Sequence, residues 1–161
     1  VFSFGVNLMS NESSEPSLES KLSRFETQLE TPVVPGELTT WLQAAEQTFS
    51  QMVPDLRTRI EGRHRELIDE IAEQDQGLLT RVEQLRVADQ EILAEAKRQF
   101  KMLSPMAEHS ETLEPDEGHA ARAVERIVDE GLKLVIRIRK QEAAISTWLM
   151  EAFDRDRGVA D

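Results

Sequence analysis

Cysteine and tyrosine are both missing from these 161 residues. Without a thiol there is no thiolate nucleophile, no Cys-based zinc site and no disulfide to staple the fold, and a reducing, cytoplasmic setting suits such a chain. Aromatic residues are scarce, with 6 Phe and 2 Trp, and glycine is limited to 7. Stacking platforms for nucleobases and Gly-rich phosphate loops therefore have little material. Basic charge is short as well: 19 Lys and Arg against 31 Asp and Glu leave a formal charge of -12, a field that repels phosphate backbones and anionic membrane surfaces. No apolar run approaches the roughly 18 residues of a membrane span. The apolar opening VFSFGVNL lacks the basic start of a signal peptide. Met9-Ser10-Asn11-Glu12 is an ordinary hydrophilic start, so Val1 to Leu8 reads as an over-extended gene.

What the chain does have is helical periodicity. Ala120, Val124, Ile127, Gly131, Leu134, Ile138, Gln141, Ile145, Trp148 and Ala152 follow one another in unbroken steps of four and three, the spacing of a coiled coil. Val128, Val135 and Leu149 widen this stripe on one flank, and Leu132 and Ile136 add apolar area further round. A stripe this wide belongs to a helix with two or more neighbours. The last helix is thus expected to be the centre of a bundle, starting at Glu114-Pro115-Asp116-Glu117, where proline and carboxylates suit a helix N-terminus, and running to about Arg155.

The remaining segments organise around it. Residues 1–16 are expected to form a disordered tail. Leu18, Leu22, Phe25 and Leu29 make Ser17 to Glu30 a short amphipathic helix, and Thr31 to Gly36, with two prolines and a glycine, a linker. From Glu37 the core positions are Leu38, Leu42, Ala45, Phe49, Met52, Leu56, Ile60, His64, Leu67 and Ile71, with a kink or break expected at Pro54. Polar residues at the next core positions make Gln74 to Gly77 an interhelical turn; the rival is one very long helix. Leu78, Val82, Leu85, Ala88, Ile92, Ala96, Phe100 and Leu103 then mark a helix stopped by Ser104-Pro105, and residues 104–119 read as a solvated acidic loop. The expected fold is all-α: an antiparallel up-and-down bundle of three long helices plus the short N-terminal helix, with 37–155 as the bundle domain and 156–161 as a C-terminal tail.

Chemistry-bearing patterns are thin. Helical bundles hold metals through Glu-x-x-His pairs on two helices faced by further inward Glu residues. Glu61 and His64 fit that spacing once, and Asp116-Glu117-Gly118-His119 echoes it loosely. Glu142 is the best candidate for an inward carboxylate, whereas Glu91 and Glu125 lean outward. Glu61, His64 and His119 are therefore the candidate metal ligands of a set that stays incomplete. No Ser-His-Asp grouping is visible. Arg57, Arg59, Arg63 and Arg65 crowd one helix, and Arg122, Arg126, Lys133, Arg137 and Lys140 run along the last. Asp129 before Lys133 and Glu130 beside Arg126 make that stripe a solvated, internally paired face.

With a histidine on its first long helix, the up-and-down layout over about residues 38–154 resembles the hemerythrin-like cation-binding bundles. That family supplies a His-x-x-x-Glu and a late His-x-x-x-His. Here Ile68 stands four residues after His64 and no histidine follows His119, so the resemblance implies the layout without the di-iron centre. The functional expectation is a non-enzymatic helical interaction or scaffold protein without a cofactor, pairing with an unknown protein or, through its last helix, with a second copy. The apolar surplus around Ile136 must otherwise be met by the N-terminal helix folding back. The alternative is a small metal- or ligand-binding bundle. Nucleic acid and membrane are not expected partners.

Overall fold

The computed structural model describes residues 16–110 and 117–158, so the N-terminal tail, the Glu114-Pro115-Asp116 start and the last three residues lie outside the described residues. All regular structure among the described residues is helical: α1 (Leu18–Glu30), α2 (Leu38–Arg59), a π-helical turn (Ile60–His64), α3 (Arg65–Gln74), a 3-10 turn (Gln76–Leu78), α4 (Leu79–Glu108) and α5 (Glu117–Gly158). The protein is an all-α helical bundle. The segments α2, π turn and α3 run on without a break and make the first long helix; α4 and α5 are the other two.

Each boundary has a local cause. Ser17 caps α1, its hydroxyl accepting from Ser20 N–H at 3.2 Å. In the linker Gly36 takes φ +84°, a backbone conformation that favours glycine, and Trp41 Nε1–H fastens the start of the linker by donating to the Thr31 carbonyl at 2.7 Å. The 74–77 segment is a turn: Asp75 Oδ1 accepts from Gly77 N–H at 2.8 Å and opens the 3-10 turn that reverses the chain into α4.

Both prolines expected to interrupt helices lie inside them. Pro54 neither breaks nor ends α2; it sits exposed, where the carbonyl it leaves unpaired can reach water. Pro105 does not stop α4, which continues to Glu108 because Leu103 and Ala107 are both buried and packing outweighs the lost bond. The expected acidic loop 104–119 is correspondingly shorter, residues 104–108 belonging to α4 and 117–119 to α5. The expected tail 156–161 likewise loses residues 156–158 to α5.

The helices alternate in direction. Lys21 of α1 pairs with Asp55 of α2, and Gln28 Nε2–H reaches the Trp41 carbonyl, which fixes α1 antiparallel to α2. Gln99 meets Ile127 and Arg137 meets Glu91, so α4 and α5 are antiparallel, and Arg155 of α5 reaches Asp75 beside the first turn at 3.5 Å. At the linker end α1 packs on α2 and α5, α2 on α4, and α4 on α5, a four-helix arrangement. Past the π turn α1 is no longer present and α3 packs on both α4 and α5, leaving three helices.

The core is divided in the same way. One cluster, including Phe25, Phe49, Met52, Ile60, Ile92 and Ile138, fills the four-helix end, where the Phe25 and Phe49 rings lie 5.1 Å apart. A smaller one, including Ile68, Ile71, Val82, Leu85 and Ile145, fills the three-helix end. Every position of the α5 stripe is buried or half-buried. On its flank Val135 is fully buried, α1 folds back over Gly131, and Ile136 stays 49 % exposed.

Candidate functional site

Between the two cores lies a layer of polar side chains. The π turn puts His64 into it, and the reason lies in the spacing: the buried positions of the first long helix include Met52, Leu56, Ile60, His64 and Ile68, four steps of four in succession. In an α-helix each such step drifts by about 40°, so the face would turn away from the core. One π turn absorbs the drift. Ile68 therefore takes the buried position expected for Leu67, which is half-buried.

α4 contributes Asp89, and α5 contributes Gln141 and Glu142. His64, Asp89 and Gln141 are 1 %, 4 % and 5 % exposed, so all three are inside the bundle. His64 Nδ1 lies 2.8 Å from Asp89 Oδ1, and Nε2 lies 2.9 Å from Glu142 Oε1. Gln141 Nε2–H donates to the same Asp89 oxygen at 3.0 Å and to the Leu85 carbonyl at 2.8 Å. At the rim, Arg59 donates from Nε and Nη2 to the two oxygens of Glu142 at 2.9 and 3.0 Å.

An ionised carboxylate only accepts, so a ring with a carboxylate oxygen at each nitrogen must donate from both. The geometry thus makes His64 an imidazolium. Burial alone depresses the ring pKa, but the hydrogen bonds to Asp89 and Glu142 and their negative charges outweigh it and raise it to about 9. The hydrogen bond from His64 and the guanidinium of Arg59 hold Glu142 well below the carboxylate range, at about 2, against a smaller opposing effect of burial. With Arg59 and His64 positive and Asp89 and Glu142 negative, the cluster is neutral overall.

Chemically the layer is closed. Both ring nitrogens are engaged, so the imidazole has no lone pair for a substrate proton or a metal. Among the described residues no group of three His, Cys, Asp or Glu side chains is arranged to hold a metal ion. The three candidate ligands are not brought together: His64 is buried in the layer, Glu61 is exposed on the outside of the π turn, and His119 is exposed in the first turn of α5. At about 1.5 Å per residue, His119 is roughly 35 Å along the helix from Glu142.

Glu142 is indeed the inward carboxylate and Glu91 and Glu125 are exposed, but Asp89 was not anticipated. The buried positions are Leu78 in the 3-10 turn and, in α4, Val82, Leu85, Asp89, Ile92, Ala96, Gln99, Leu103 and Ala107. Strict continuation of the four-three rhythm through Leu85 and Ile92 selects Asp89 and Gln99. Choosing the apolar neighbours Ala88 and Phe100 instead is the error, since Ala88 is half-buried and Phe100 is 46 % exposed. Gln99 Nε2–H donates to the Ile127 carbonyl at 3.0 Å, while its buried Oε1 meets no donor among the described residues.

Elsewhere the surface is ordinary. The basic stripe of α5 is paired in part, Lys133 with Asp129 at 2.7 Å and Arg137 with Glu91 and Glu95. A concavity of about 980 Å³ between the linker and the start of α5 is walled by Val33, Trp41, Ala120, Val124 and Val128 among others. No helix of the described residues is long and apolar enough to cross a membrane. Comparison with protein-family models, with curated proteins and with solved structures finds no match to this chain.

Proposed function

We propose that the protein is a non-enzymatic helical module that works by presenting helix faces to another protein or to a second copy of itself. The observation that carries this reading is the closure of the polar layer: the concentration of charged groups inside the bundle, among the described residues, is satisfied by its own members, as in a structural element. Catalytic groups need a free lone pair or proton facing a substrate. The faces available for contact are apolar in places, with Leu79 and Val87 of α4 and Ile136 and Met150 of α5 exposed by 47 to 62 %. Cytoplasmic residence fits the absence of cysteine.

Self-association through α5 is the specific form of this reading. Light scattering on the full chain is expected to give a dimer, and Ile136→Glu to give helical monomers, because a charge in an apolar interface must be desolvated. A monomeric parent would remove the second copy and leave a different protein as the partner. The competing metal- or ligand-binding reading draws on His64, but a metal would have to displace two charge-assisted hydrogen bonds. Elemental analysis separates the two: a stoichiometric metal would replace the interaction reading.

A further inference from the structure

We propose that the His64–Asp89–Glu142 cluster is a protonation-dependent latch that holds α3 against α4 and α5, so that loss of the ring proton releases the three-helix end while the four-helix end stays packed. The argument starts from position. The cluster stands between two separate apolar cores, at the turn where the first long helix moves from its packing on α1 and α4 to its packing on α4 and α5. His64 is the only member on that helix inside the layer, and it reaches α4 through one nitrogen and α5 through the other. Asp89 closes the same triangle from α4, meeting His64 and Gln141 of α5.

The charge balance gives the direction. Facing the ring are Asp89 from α4 and Glu142 from α5; Gln141 holds Asp89, and Arg59 holds Glu142 from the outer side. Of the charges of α1, Glu19 and Glu26 are engaged with Arg139 and Lys21 with Asp55. With the ring charged the cluster sums to zero. Removing the proton leaves one uncompensated negative charge in the layer and turns a ring lone pair toward a carboxylate oxygen at hydrogen-bond distance, a repulsive arrangement inside a poorly solvated layer.

The two ends do not resist this equally. At the four-helix end Phe25, Leu22 and Leu29 of α1 add a fourth wall of fully buried side chains. The three-helix end has the smaller core, and Leu67, Trp148 and Leu149 there are only partly buried. Local opening begins where apolar contacts are fewest. The ring pKa, raised from 6.5 to about 9, makes the latch weaken progressively between those values.

Nuclear magnetic resonance and amide hydrogen exchange on the intact chain test this between pH 6 and 10. Both His64 ring nitrogens are expected to carry protons at pH 7. Between about pH 6.5 and 9, protection corrected for intrinsic exchange should fall in α3 and in α5 beyond Ile145, by up to tenfold per pH unit for one linked proton, level off above 9, and persist in α1 and α2. In Asp89→Asn the fall should level off at lower pH and be smaller in total. A singly protonated ring at pH 7, equal loss at both ends, or unchanged protection up to pH 10 would each overturn the proposal, whether or not the variant folds.

Discussion

A Cβ added to Gly131 of α5 would stand 2.6 Å from Leu29 Cδ1 of α1, and also 3.0 Å from Gln99 Nε2 and 3.3 Å from Phe25 Cζ. Three helices converge on a position where any side chain on α5 would have to push Leu29 aside. Gly131 is thus what lets α1 lie close to α5 and cover its widened apolar flank.

Replacing Gly131 with leucine should therefore release α1 while leaving α5 helical, since leucine is the better helix former by roughly 1 kcal/mol. Overpacking of this kind typically costs about 1–3 kcal/mol. Limited proteolysis is expected to cut within 18–30 in the variant and to spare that segment in the parent. Equal resistance in both proteins would mean that α1 is not seated by this contact.

Truncating His64 to alanine should cost on the order of 3–5 kcal/mol at pH 7, because Asp89 is left in the interior without its charged partner. Changing His64 and Asp89 together to leucine removes both sides of that pair, and most of the loss should be recovered. Glu142 keeps Arg59 in the double variant and Gln141 keeps the Leu85 carbonyl. Urea unfolding of the three proteins measures the difference; a double variant no more stable than His64→Ala would show that packing, not charge, dominates the layer.

The same pair sets a pH dependence whose sign follows from linkage. The ring is raised from 6.5 to about 9 in the folded state, so its contribution is complete below about pH 6.5 and is lost as pH rises through 9. That shift corresponds to roughly 3 kcal/mol. Glu142 is held at about 2 rather than 4.5, so its contribution is present above about pH 4.5 and disappears as pH falls toward 2. Global stability measured across the range should be highest between those limits, and the alkaline decline should vanish in the His64→Leu, Asp89→Leu double variant.

Protein purified without chelator or affinity metal is expected to carry no stoichiometric iron, manganese or zinc. Elemental analysis decides it, and a bound equivalent lost on changing His64 to alanine would contradict the closed layer. The expectation comes from geometry: an imidazolium offers no lone pair to a metal.

How much of this could be read from residues alone depends on whether a position obeys one rule or two. The α5 stripe obeys one, since apolar identity and four-three spacing agree from Ala120 to Ala152, and even Gln141 stands out as the polar residue kept in register. The interhelical turn was legible for the same reason, polar residues and a glycine falling together at core positions. At Asp89 and Gln99 identity and spacing conflict, and spacing is what the helix obeys. The π turn was hidden because four steps of four leave each residue plausible by itself; only their accumulated drift shows that an α-helix cannot keep them on one face. Pro105 misled because a local steric preference was weighed without the burial of Leu103 and Ala107. Asp89 and Glu142 lie 25 and 78 positions from His64, and no local pattern connects them.

The π turn also lets the first long helix hold one residue more than its core face requires. Its extra residue rotates everything after His64 by about a hundred degrees relative to an uninterrupted α-helix. Shortening the turn by a single residue, for example by deleting Gly62, whose position has nothing within 4 Å of a Cβ, would restore ordinary helical geometry and still leave Ile68 and Ile71 on the core face, because Ile60, His64, Ile68 and Ile71 would then follow one another in steps of three, four and three. Alignment of the two ends therefore survives loss of that one surplus residue, and this stretch should tolerate a one-residue deletion far better than a further insertion, which would turn α3 by about a hundred degrees.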